Sequence, residues 1–104
     1  MLEDTLVLWM GDMGRTPRVN KSAGRDHWSF CYSVLLAGAG VKAGQVYGSS
    51  DKIAAYPSTN PVSPTDIAAT IYHCLGIEPA THITDQQERP FVACTGTPIS
   101  AILS

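Results

Sequence analysis

The sequence predicts an α/β fold with a mostly parallel sheet, and two apolar runs carry this prediction. Residues 5–10 read Thr-Leu-Val-Leu-Trp-Met, and residues 31–37 form a second, largely apolar run without strict polar–apolar alternation. Strands of this kind are typically buried on both faces, as they are in parallel sheets covered by helices. A helix with clear start and stop signals follows further along the chain, as an α/β fold requires.

The segments around these two strands indicate loops and short elements. Residues 11–29 are polar and contain glycine, and the Thr16-Pro17 step disfavours a helix there. Such a loop between two buried strands is where we expect functional side chains. The remaining predicted elements are short: a strand at residues 45–48, an irregular loop at 49–63, a strand at 91–93 and a helix at 98–103.

The clearest helix begins after Ser63. Ser63 is a good N-cap, Pro64 suits the first helical position, and Asp66 lies three residues after the cap. Gly76 is a good residue to end the helix, and His73 falls on the face opposite the apolar stripe, so we expect it to be exposed. The apolar stripe consists of Ile67, Ile71, Cys74 and Leu75.

Composition narrows the class of protein. The chain has 104 residues, of which 44% are hydrophobic and 15% charged, which suits a packed globular chain. A net charge of -2 gives no electrostatic case for binding nucleic acid or an anionic membrane, and no apolar run approaches the roughly 20 residues of a membrane span. The strands are too few for a complete sheet, so we expect residues 1–104 to be a single partial domain.

Asp12 and His27 are the candidate metal ligands. Asp12 follows the first predicted strand between two glycines, Gly11 and Gly14, which allow a close approach of the backbone to a ligand. His27 precedes the second strand, and histidine is the usual nitrogen ligand for zinc or iron. The alternatives are that Asp12 caps a turn and pairs with Arg15, and that His27 lies at the surface.

Three charged residues of the same loop are candidate substrate-binding residues. Arg15 and Arg25 have guanidinium groups that match phosphate or sulfate oxygens, and Asp26 beside His27 either ligates metal or orients an imidazole. The alternative for both arginines is an ordinary salt bridge within the loop. No serine lies in a nucleophile-elbow motif, so the sequence assigns no catalytic residue.

Four ordered blocks resemble a known family. LVLWMGDMGRTP, GRDHW, SVLLAGAGVKAGQVYG and DIAATIYHCLGIEP closely resemble the C-terminal part of an uncharacterised bacterial family, domain of unknown function 1501, itself similar to sulfatases and the alkaline phosphatase superfamily. This resemblance implies the C-terminal part of an alkaline-phosphatase-like α/β/α sandwich. By this resemblance, Asp12 takes the place of the aspartate in the superfamily's Asp-His metal pair. His27 takes the place of the histidine that ligates the other metal. Met13 replaces the histidine of the pair.

The resemblance also implies a function. It predicts a C-terminal segment of a sulfatase- or phosphatase-like metallohydrolase that acts on small sulfate or phosphate esters, with a divalent metal such as zinc or calcium. The superfamily's nucleophile lies upstream of the matching segment, so we expect residues 1–104 alone to be inactive. The resemblance further suggests an exported or periplasmic protein. The alternative, favoured by Met13, is a catalytically inactive binding or scaffold protein that keeps the fold.

Overall fold

The computed structural model describes all residues, 1–104, and contains eight short strands and one α-helix. Contacts divide the chain into two units. The hairpin unit comprises residues 7–36 and 46–61, and the helical unit comprises residues 1–6, 37–45 and 62–104. The elements are β1 (Val7–Trp9), β2 (Gly14–Arg15), β3 (His27–Trp28), β4 (Leu35–Ala37), β5 (Ser49–Ser50), β6 (Pro57–Thr59), α1 (Pro64–Cys74), β7 (His82–Thr84), β8 (Pro90–Val92) and a 3-10 turn (Ser100–Ile102).

The predicted parallel sheet and α/β/α sandwich are wrong. The strands form four separate two-stranded pairs, β1 with β4, β2 with β3, β5 with β6 and β7 with β8, and the last three pairs are antiparallel. Parallel neighbours need a crossover of a dozen or more residues, usually a helix, whereas antiparallel neighbours need only a loop. With one helix of 11 residues, this chain pairs its strands mainly through local hairpins.

The two apolar runs form shorter and more exposed strands than their sequences predict. Strand residues cover only 7–9 of the first run and 35–37 of the second. Val7, Trp9 and Leu35 are 47%, 72% and 58% exposed, so the prediction that both strands are buried on both faces is wrong. β1 ends at Trp9, two residues before Gly11, whereas β4 reaches the end of its run before Gly38 and residues 31–34 form no strand.

Other short elements are also displaced from their predicted positions. The strand predicted at 45–48 is absent, and the region predicted as an irregular loop at 49–63 contains the β5–β6 pair. The strand predicted at 91–93 is confirmed one residue earlier as β8, and the C-terminal helix is reduced to the 3-10 turn at Ser100–Ile102.

Helix α1 begins and ends where the sequence predicts. The Ser63 hydroxyl accepts a hydrogen bond from the Asp66 amide (3.2 Å), and the Asp66 carboxylate accepts one from the Ser63 amide (3.1 Å), which completes a capping box. Gly76 follows with a φ of +77°, the left-handed conformation that glycine adopts without strain. His73 is exposed as predicted, whereas Leu75 of the apolar stripe is exposed as well.

The C-terminal segment is tied to α1 through polar contacts of Thr70 and Asp66. Thr70 is fully buried, and its hydroxyl donates to the Asp66 carbonyl (2.7 Å) and accepts from the Ile99 amide (3.0 Å). Asp66 also accepts from the Thr97 amide (3.0 Å). These bonds satisfy the polar groups of a small core, which would otherwise carry a desolvation cost. The buried apolar residues of this helical unit are Ile67, Ala69, Pro79 and Ile102.

A turn closes the β7–β8 hairpin of the helical unit. The Asp85 carboxylate accepts from the amides of Gln87 (2.8 Å) and Arg89 (2.9 Å), and it pairs with the Arg89 guanidinium at 2.7 Å. The hydrogen bond from the Arg89 amide is the largest cause that lowers the pKa of Asp85. Neither the α-helix nor the 3-10 turn of this unit is long and apolar enough to cross a membrane.

We expect Asp66→Asn to loosen the attachment of the C-terminal segment. The hydrogen bonds from the Thr97 amide and then the Ser63 amide hold the pKa of Asp66 below its ordinary value. An asparagine offers a single acceptor oxygen, so one of these two amides loses its partner. The expected cost of about 1 kcal/mol corresponds to a roughly fivefold fall in amide protection at Thr97 or Ser63, measured by hydrogen exchange.

The stabilisation that Asp66 provides depends on pH. Because the pKa of Asp66 is lowered by folding, its stabilisation is present above the unfolded-state pKa and is lost as the pH falls through the folded-state pKa. The difference between wild type and Asp66→Asn should therefore vanish in acid. Glu78→Gln is the control, since the exposed Glu78 side chain makes no hydrogen bond. Equal protection in both variants at neutral pH would contradict this account.

We also expect residues 1–104 to self-associate in solution. Few apolar side chains are buried, while Val7, Trp9 and Leu35 are exposed on paired strands with free edges. Light scattering over a concentration series should show association, and Trp9→Lys should reduce it. Val19→Lys, a similar change at an exposed loop position, should have a smaller effect. A protein that stays monomeric at high concentration would contradict the prediction.

Candidate functional site

The candidate residues lie on and around an antiparallel hairpin formed by β2 and β3. Arg15 pairs with His27, and Gly14 pairs with Trp28. Because side chains alternate between the two faces of a strand, Arg15 and His27 share one face, while Trp28 lies on the other. Both Arg15 and His27 are exposed, so this charged face is open to solvent.

Gly14 is required by the close packing of the hairpin. A Cβ at this position would fall against the Cys31 carbonyl oxygen, closer than real Cβ contacts come, and 2.9 Å from the Trp28 carbonyl oxygen. Both neighbours are backbone atoms, which cannot move aside as a flexible side chain would. Gly11, in contrast, has only one atom within 4 Å of such a Cβ, the Met13 carbonyl oxygen at 3.7 Å.

An aromatic cluster fixes the opposite face of the hairpin. The Trp28 indole N–H donates to the Ala55 carbonyl (2.7 Å), and Ala55 is one of the few buried residues. The Trp28 ring lies 4.9 Å from Phe30 and 5.7 Å from Tyr56 between centroids, and both pairs are edge-to-face. Such contacts add packing energy beyond area burial. The aromatic face therefore anchors β3 and leaves the charged face outward.

The loop between β2 and β3, residues 16–26, is here called the cationic loop. Its two ends are joined, because the Thr16 amide donates to the Asp26 carbonyl (3.0 Å) and the Asp26 amide donates to the Thr16 hydroxyl (3.1 Å). Its centre is organised by Asn20, whose side-chain oxygen accepts from the amides of Ser22 (2.9 Å) and Gly24 (3.0 Å). The Asn20 amide group also donates to the Asp26 carboxylate (3.2 Å).

The two predicted substrate-binding arginines have different surroundings. Arg25 donates from Nη1 to the carbonyls of Thr16 and Pro17, both at 2.8 Å. Arg15 makes one long contact, from its Nη1 to the Arg25 carbonyl at 3.4 Å. Neither forms a salt bridge, so the alternative that these arginines make loop ion pairs is wrong.

The sign of the local charge differs from that of the chain. Residues 12–27 contain four of the seven lysines and arginines but only two of the nine acidic residues. The region therefore carries a net positive charge on a chain whose net charge is -2. A cationic, solvent-facing surface favours anionic ligands.

Asp12 lies in the short connection between β1 and β2. Its carboxylate accepts a hydrogen bond from the adjacent Met13 amide (2.9 Å), and its side chain is exposed. No hydrogen bond joins Asp12 to His27 or to Arg15. The carboxyl ends of parallel strands would meet at one sheet edge, but β2 and β3 pair antiparallel, and the residue directly opposite His27 is Arg15.

The side chains that could bind a metal ion are too few at any one place in the chain. No group of three or more His, Cys, Asp and Glu side chains is close enough to hold a metal ion. Catalytic zinc sites use three protein ligands and structural sites four, so Asp12 and His27 would form an incomplete donor set. The residues of this chain alone do not fit a complete metal centre, and the roles of Asp12 and His27 as ligands stay a prediction.

Sequence reasoning missed the residues that build the cationic loop. Asn20 and Thr16 organise it, and Ala55 receives the Trp28 indole. A signal existed for Asn20, because Asn-Lys-Ser-Ala-Gly is a run of turn residues whose asparagine commonly bonds to amides ahead of it. No local signal links Trp28 to Ala55, which lies 27 residues further on.

The fold and the site define a chain of short hairpins with one helix, in which the β2–β3 region carries a net positive charge. The chain belongs to the family described as "Protein of unknown function (DUF1501)", which matches residues 1–103. The family part of the predicted resemblance is therefore confirmed, whereas no comparison links the chain to sulfatases or to the alkaline phosphatase superfamily. No curated protein matches the chain, and no solved structure does either.

Gly14→Ala should disrupt the hairpin. The new methyl group would meet two carbonyl oxygens, and overpacking of this kind typically costs about 1–3 kcal/mol. We expect the Trp28 indole N–H resonance to lose its distinct chemical shift as its hydrogen bond to Ala55 breaks. Gly11→Ala is the matched control and should leave that resonance in place. An unchanged Trp28 resonance in Gly14→Ala would contradict the packing account.

Proposed function

We propose that the protein recognises a small sulfate or phosphate ester through the charged face of the β2–β3 hairpin. The observation that carries this proposal is the cross-strand pair of Arg15 and His27, both exposed on one face. Guanidinium and imidazole groups donate hydrogen bonds that match the oxygens of sulfate and phosphate. The net positive charge of residues 12–27 supports an anionic ligand.

The reaction class we propose is that of a sulfatase- or phosphatase-like metallohydrolase. Support comes from the four sequence blocks that resemble this group, and from the places that Asp12 and His27 take in its pattern. In such enzymes a divalent metal activates a nucleophile and stabilises charge on the transferred group. Here the contribution of the chain's own residues is to bind and orient the ester oxygens.

A second candidate is a binding or scaffold protein without catalysis. Met13 favours it, because a thioether is a poor ligand for zinc or a harder dication at a position where the related pattern has histidine. This candidate shares the recognition of an anionic ester and differs only in the absence of turnover. Metal content and hydrolysis therefore discriminate the two.

His27→Ala tests the hydrolase proposal in the protein as its gene encodes it. The wild type should contain a divalent metal by mass spectrometry and should hydrolyse p-nitrophenyl phosphate or p-nitrophenyl sulfate. His27→Ala should lower metal content and reduce hydrolysis by about 100-fold or more, because charge stabilisation at the ester is lost.

His73→Ala is the matched control, since His73 is an exposed histidine on α1. It should leave metal content and hydrolysis unchanged. Unchanged metal content in His27→Ala would show that the ligand role is wrong. A wild type that binds the ester without hydrolysing it would favour the binding protein, and one that does neither would reject both candidates.

A further inference from the structure

Arg15, at the end of β2, and Arg25, in the cationic loop, look equivalent in sequence but differ in their hydrogen bonds. Both N–H groups of Arg25 Nη1 are directed at carbonyl oxygens of the same loop, at 2.8 Å each. Arg15 has one contact of 3.4 Å, near the outer limit for a hydrogen bond. One guanidinium is thus anchored, and the other is almost unengaged.

We propose that Arg15 is the residue that contacts the anion, and that Arg25 is a positioning residue that holds Arg15 in place. This assignment rests on the proposed recognition of a sulfate or phosphate ester and divides the work between the two arginines. The probe for the site is inorganic phosphate or sulfate, which share the tetrahedral oxyanion chemistry of the esters.

The position of the Arg25 contacts supports the positioning role. Its two acceptors are the carbonyls of Thr16 and Pro17, the residues that directly follow Arg15. The bond from the Thr16 amide to the Asp26 carbonyl continues the β2–β3 pairing by one further residue pair, and the Asp26 amide donates in turn to the Thr16 hydroxyl. Arg25 therefore fixes the backbone immediately after Arg15 and keeps Arg15 opposite His27.

The charge environment supports the contact role of Arg15. The salt bridges of the chain are Met1 with Glu3 and Arg89 with Asp85, so no carboxylate lies within 4 Å of the Arg15 guanidinium. Most of its five N–H donors are free for an anion. The Asp26 carboxylate, in contrast, is bonded into the cationic loop by Asn20 and adds negative charge to the segment that Arg25 closes.

Arginine side-chain NMR of the whole chain tests the assignment directly. Phosphate is titrated at constant ionic strength while the Nε–Hε resonances of the arginines are followed. We expect saturable shifts at Arg15 and only small shifts at Arg25. Sulfate should give the same pattern. Arg15→Gln should weaken phosphate binding at least fivefold.

Two further variants separate contact from positioning. Arg25→Gln should weaken phosphate binding and also reduce the amide protection of Asp26 and Thr16. Arg25→Lys should restore binding to within about twofold, because one ammonium group can donate to both carbonyls but cannot replace a bidentate guanidinium on an anion. Arg18→Gln is the matched control: the exposed Arg18 guanidinium makes no hydrogen bond, so the same loss of charge should change affinity less than twofold.

The outcomes of these titrations test the roles of Arg15 and Arg25 separately from the binding of an anion. Saturable shifts at Arg25, with no rescue by lysine, would overturn the division of roles while leaving recognition of an anion intact. Equal weakening by Arg15→Gln and Arg18→Gln would indicate nonspecific attraction and would overturn the assigned contact. If neither phosphate nor sulfate shifts any arginine resonance, both the assignment and the proposed recognition of esters fail.

Discussion

The close backbone packing at Gly14 is the constraint on which the candidate site depends. Because Gly14 has no side chain, the β2 backbone can lie against the carbonyls of Cys31 and Trp28. That approach allows β2 and β3 to pair, and the pairing sets Arg15 opposite His27. The cationic loop then closes above this pair through Thr16 and the residues that bond to it. A displaced β2 would alter the register, and a slip of one residue moves each side chain to the other face.

The two faces of the hairpin have separate roles that follow from their chemistry. Trp28 brings a large apolar ring and one polar N–H, and both find partners in the aromatic cluster and at the Ala55 carbonyl. The face that carries Arg15 and His27 has no comparable partners within the hairpin. Anchoring one face in this way reduces the conformational entropy that an anion must remove when it binds the other. The aromatic cluster anchors the hairpin through Trp28, while Phe30 and Tyr56 remain about half exposed.

The parts of the fold that could be predicted are those coded by neighbouring residues. The prediction of helix α1 is correct because Ser63, Pro64 and Asp66 act within one turn. Gly76 ends the helix because glycine adopts a positive φ without strain. The strands could not be placed, because an apolar run shows that a segment avoids water but not which segment covers it. Val7 and Trp9 have the sequence of a buried strand and yet remain exposed.

The same distinction applies to the site. The sequence marks residues 11–29 as the segment that carries the charged residues, because polar residues and glycine between apolar runs are a local signal. Its prediction that this whole segment is loop is wrong, since β2 and β3 lie within it. The sequence cannot show that Arg25 bonds to carbonyls eight and nine residues earlier while Arg15 stays free. That difference depends on the fold of the loop around Asn20, which requires the side chain and several amides to adopt one arrangement together.

The antiparallel pairing of β2 and β3 favours the proposed recognition of an anion over the proposed metal site. A parallel sheet would have brought Asp12 and His27 together at its edge, as a shared metal site requires. The antiparallel hairpin instead pairs His27 with an arginine, and Asp12 bonds to its own neighbour, Met13. The proposed recognition of an anion needs only Arg15, His27 and the loop that holds them, and it requires no metal. The proposed catalysis requires further metal ligands and a nucleophile in addition to these residues.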